Sequence, residues 1–99
     1  MARIIFERSG GFLEPPIDFT LDLDTLSPGE AQRLLYLIED ADFFRLPQDL
    51  VAASTVDEFL YTITVEAGAT RQRICVSEMN VPESLQLLIN DLLTLAPVP

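Results

Sequence analysis

Ile17-Asp18-Phe19-Thr20-Leu21-Asp22-Leu23-Asp24 alternates without a break between apolar and polar residues. Successive side chains of a strand point to opposite faces, so this stretch predicts a strand with Ile17, Phe19, Leu21 and Leu23 buried and the acids in water. Arg3 to Arg8 just before it is rich in β-favouring residues and predicts a first strand, broken by Ser9-Gly10-Gly11. Glu14-Pro15-Pro16 bars any regular continuation, because neither proline has an N–H to donate. The two strands predict an antiparallel hairpin with an unusually long connection, residues 9–16.

Ser27-Pro28-Gly29-Glu30 has the form of a helix start. The Ser27 hydroxyl can accept from the Glu30 N–H, and proline suits the first helical position. Ala31, Leu34, Leu35 and Ile38 then follow helical spacing, predicting a helix to about Asp42. Phe43, Phe44 and Leu46 anchor its exit before Pro47. Residues 48–57 show no period and predict a loop. Phe59, Tyr61, Ile63 and Val65 alternate with Leu60, Thr62, Thr64 and Glu66, and Gln72, Ile74 and Val76 alternate with Arg71, Arg73 and Cys75, with Ala67-Gly68-Ala69 as the turn between the two strands. Val81-Pro82-Glu83 opens a second helix whose stripe is Leu85, Leu88, Ile89 and Leu92. The order ββαββα predicts one α+β domain over residues 1–99. It has two layers: a four-stranded, mostly antiparallel sheet with both helices on one face.

Composition narrows the function. The chain has 99 residues, a 48% hydrophobic share and a net charge of -10 from 16 acidic and 6 basic residues. That charge repels phosphate backbones and anionic membranes, so nucleic-acid and membrane partners are not expected. A basic partner surface is favoured. No histidine is present, which removes the commonest general base and metal ligand. The single Cys75 has neither a histidine nor a second thiol to work with. Asp18 and Asp22 lie about 13 Å apart along a strand, too far to share a hard cation. No catalytic residue, metal ligand or cofactor is therefore expected. No apolar run is long enough to span a membrane, and Met1 to Arg8 lacks a leader-like pattern, so a soluble, cytoplasmic protein is expected.

Ile4-Ile5-Phe6-Glu7-Arg8-Ser9-Gly10-Gly11-Phe12 resembles the opening of the emfourin family. Ala41-Asp42-Phe43-Phe44-Arg45-Leu46-Pro47, Phe59-Leu60-Tyr61-Thr62-Ile63-Thr64-Val65, and Val76-Ser77-Glu78 followed by Val81-Pro82 are similar to it in the same order. The resemblance implies a protein inhibitor of protealysin-type, thermolysin-like zinc metalloproteases that occludes the active-site cleft. Ser9, Gly10, Gly11, Phe12, Leu13 and Glu14 are then the candidate protein-binding residues. Two readings of Phe12-Leu13 stand side by side. The pair folds back over the end of the core, or it is presented to the partner as an apolar anchor stiffened by Pro15-Pro16. The function reading likewise has an alternative, an acidic interaction module or nucleic-acid mimic with no protease target.

Overall fold

The computed structural model describes residues 2–10, 16–50 and 58–95. Strand β1 (Ala2–Gly10) pairs antiparallel with β2 (Ile17–Asp22) on one side and with β4 (Phe59–Ala67) on the other. β5 (Thr70–Ser77) follows β4 antiparallel, and a two-residue strand β3 (Asp49–Leu50) runs parallel to β5 at the edge. The sheet order is β2-β1-β4-β5-β3. Helices α1 (Pro28–Asp40) and α2 (Glu83–Leu95) cover one face.

The buried set follows the two periodicities except in and just after α1, where Leu37 is buried in place of the expected Leu35, which is 44% exposed, and Phe44, expected to anchor the helix exit, is 39% exposed. Ile4 and Phe6 of β1, Tyr61, Ile63 and Val65 of β4, and Ile74 and Val76 of β5 share one face of the sheet. Leu34, Leu37 and Ile38 of α1 and Leu85, Leu88, Ile89 and Leu92 of α2 close over them as a single core. Arg33 Nε donates to Asp91 Oδ1 at 2.8 Å, tying the helices together at the surface. The Ser27 hydroxyl does accept from the Glu30 N–H, at 3.3 Å.

Four boundaries depart from the sequence expectation. β1 extends two residues further, because Ser9 and Gly10 pair with Leu60 and Phe59 of a strand distant in sequence. The second strand stops at Asp22. There its carboxylate accepts from the Asp24 N–H at 3.0 Å and turns Leu23–Thr25 into a short 3-10 helix that still buries Leu23. α1 stops at Asp40, and Asp42 takes the left-handed conformation at φ 53°. The loop expected over residues 48–57 begins with β3, held where Cys75 N–H donates to the Gln48 carbonyl at 2.9 Å. That adds a fifth strand to the expected four.

Candidate functional site

Glycine is dictated at position 10 twice over. Its φ of +84° lies in the region an L side chain avoids, and a Cβ there would stand 2.6 Å from the Glu58 carbonyl oxygen. β1 therefore leaves the sheet in close contact with the start of β4. Ser9 and Gly10, both exposed, mark that exit. Gly11, Phe12, Leu13 and Glu14 lie outside the described residues.

Around the exit, Glu58 and Glu78 hold the neighbouring chain ends by a reciprocal pair of hydrogen bonds. Glu58 Oε1 accepts from the Met79 N–H at 2.7 Å, and Glu78 Oε1 accepts from the Phe59 N–H at 3.4 Å. Glu58 is only 8% exposed, which a carboxylate tolerates when it accepts from a backbone donor. An aromatic row runs beneath: Phe19, Phe6, Tyr61 and Phe59, with successive ring centroids 5.4, 6.0 and 6.4 Å apart. Arg8 ends the row, its guanidinium carbon 4.4 Å from the Phe59 centroid. Burial holds the Tyr61 phenol above its ordinary pKa; the nearby Glu78 carboxylate pushes the same way and Arg8 opposes. Sequence reading passed over Arg8, Glu58 and Glu78 because their partners lie far along the chain: Phe59 for Arg8 and Glu78, and Met79 for Glu58.

The acids on β2 do not converge on a site. Asp22 serves as a turn cap, Asp24 lies in that turn, and Asp18 sits across from Glu7. β1 separates β2 from β4, so neither Arg71 nor Arg73 lies on the strand facing these acids; Arg71 pairs instead with Glu66 at 3.3 Å. Cys75 is half-buried on the open face, where the Thr62 hydroxyl reaches its sulfur at 3.7 Å. Among the described residues no three His, Cys, Asp or Glu side chains cluster to hold a metal, and no helix is long and apolar enough to cross a membrane. A cleft of about 380 Å³ opens at the opposite end of the sheet. There Arg3 and Arg71 share Glu66, so its charges are already matched within the chain.

The Emfourin family model matches residues 6–93. Among solved structures, the chain is similar to emfourin (M4in) from Serratia proteamaculans, an M4 family peptidase inhibitor. That match has 18% identity, covers 88% of this chain and 84% of the other, and has a TM-score of 0.44. A comparison with curated proteins returned no match.

Proposed function

From its membership of the Emfourin family, to which this chain belongs over residues 6–93, we propose that it is a protein inhibitor of a thermolysin-like zinc metalloprotease. The family match carries this reading. It acts by occupying the active-site cleft and performs no chemistry of its own. A serviceable inhibitor must enter the cleft and yet keep its peptide bonds away from the zinc-activated water. A segment fixed at its entry by a close backbone approach is suited to that, because pre-organisation lowers the entropy cost of binding and resists being drawn into a reactive pose. Gly10, packed against the Glu58 carbonyl, supplies such an entry. Residues 9–14 form the contacting segment, with Phe12 or Leu13 as the apolar anchor.

The test is titration of a thermolysin-type protease with the purified chain. Activity falls to zero at about one inhibitor per enzyme if the proposal holds. Undiminished hydrolysis by several such proteases in the presence of excess chain refutes it. Phe12→Ala with Leu13→Ala weakens inhibition in a folded protein; full inhibition by that variant removes the anchor while leaving the inhibitor.

A further inference from the structure

All six cations of the chain are arginines, and most are visibly provided for. Arg3 and Arg71 share Glu66, Arg33 meets Asp91, Arg45 lies 3.9 Å from Asp42, and Arg73 is exposed to water. Arg8 is the exception among the described residues. It is half-buried, its Nε has no hydrogen-bond acceptor, and no carboxylate of the described residues lies within 4 Å of its guanidinium. This occurs in a chain with 16 acidic residues. Glu58, next to Phe59 in the chain, and Glu78, bonded to the Phe59 N–H, each turn an oxygen to a backbone N–H. The stack on Phe59 offsets part of the desolvation and fixes the plane of the guanidinium. An unsatisfied buried donor costs stability, and native chains retain few of them.

We infer that Arg8, stacked on Phe59 beside the Ser9–Gly10 exit, is a preformed anchor for a carboxylate of the target protein. The inference rests on the inhibitor reading and adds to it the chemistry of one contact. Arg8 stands in the cross-strand row of Ile17 and Tyr61, one position before the exposed Ser9. The residue as a whole is half-buried, so a partner seated on the exit meets the part of its side chain that is open to solvent. An acceptor of full negative charge suits a partly desolvated guanidinium best, through paired N–H···O bonds that a planar fork can make and an ammonium cannot. The contact also gives an otherwise strongly acidic surface one point of positive charge at its binding end, which fixes orientation in docking.

A structural role and a binding role for Arg8 predict opposite things. If Arg8 holds the fold together, its removal lowers the melting temperature. If it is kept for a partner, Arg8→Met retains the stem, removes an unpaired donor, and leaves the melting temperature unchanged or raises it. The experiment measures inhibition of a thermolysin-type protease and thermal unfolding for wild type, Arg8→Met and Arg8→Lys. We expect Arg8→Met to weaken inhibition about ten-fold or more without thermal loss, and Arg8→Lys to recover only part of it. The gap between wild type and Arg8→Met narrows as salt rises, because a carboxylate contact is screened. Wild-type inhibition by Arg8→Met overturns the inference and leaves the inhibitor function standing, as does a loss that tracks a fall in melting temperature. A gap indifferent to salt overturns the assignment to a carboxylate. A wild-type chain that inhibits nothing overturns the function and, with it, this partner.

Discussion

Replacing Gly10 by alanine tests the entry to the binding segment in isolation, because a control for it exists in the same chain. Gly10 and Gly68 both have positive φ, +84° and +62°. Alanine in that region costs about 1–2 kcal/mol in backbone terms. Only at Gly10 does the new Cβ also meet an obstacle, the Glu58 carbonyl at 2.6 Å, whereas nothing stands within 4 Å of it at Gly68. Relief requires β4 to retreat from β1 by more than half an ångström at the Gly10–Phe59 pair, an overpacking of the kind that costs roughly 1–3 kcal/mol. Gly68→Ala should therefore lose about 1–2 kcal/mol and Gly10→Ala about 2–5 kcal/mol. For a domain of this size each kcal/mol moves the melting temperature by about 4–8 °C, so the two variants separate clearly in a thermal scan or a urea titration. Equal losses at both positions would refute the close approach of β1 to Glu58. No loss at either would refute the positive-φ assignments themselves.

Three further outcomes follow from the geometry. Ser27→Ala removes the hydroxyl that accepts from Glu30 N–H at 3.3 Å and should cost about 0.5–1 kcal/mol by denaturant unfolding, the lower part of the range for such caps. Asp18 faces Glu7 across the β1–β2 pair, so Asp18→Lys exchanges a repulsion for an attraction and should stabilise the domain by roughly 0.2–1 kcal/mol, less at high salt. Tyr61 is held neutral chiefly by burial, with Glu78 adding to this and Arg8 opposing; a phenol whose folded pKa is raised contributes stability that is complete below about pH 10 and is lost as pH climbs through the folded value. Stability measured against pH should therefore fall above about pH 10 in wild type, and Tyr61→Phe should flatten that fall; an unchanged alkaline slope would contradict the burial.

The helix start at Ser27-Pro28, the buried stripe of α2 and the alternation in four strands depend on residues within a few positions of one another, and period alone assigns them. In α1 the same period leaves Leu35 and Leu37 on either flank of the stripe, and packing against α2 and the sheet chose Leu37. The two-layer arrangement follows, because each apolar face needs a cover. Boundaries fared worse where a distant partner decides them. Ser9 and Gly10 look like a break but pair with Leu60 and Phe59. Asp24 completes an alternating pattern but belongs to a turn capped by Asp22.

The amino-acid order by itself determined the kinds of element, most of the residues each one buries, and the lack of histidine, which removes the commonest general base and metal ligand. Tertiary structure alone decided the strand order β2-β1-β4-β5-β3, the two-residue parallel edge at Asp49–Leu50, the stacking of Arg8 on Phe59, and the hydrogen bonds that Glu58 and Glu78 accept from the Met79 and Phe59 N–H groups. The division has a physical cause. Periodicity records how a segment divides itself between water and a core, and that is a local property. Which strand lies beside which is settled by competition among pairings far apart in the chain, and the packing that leaves Arg8 without an ion-pair partner among the described residues has no signature in any short stretch of sequence.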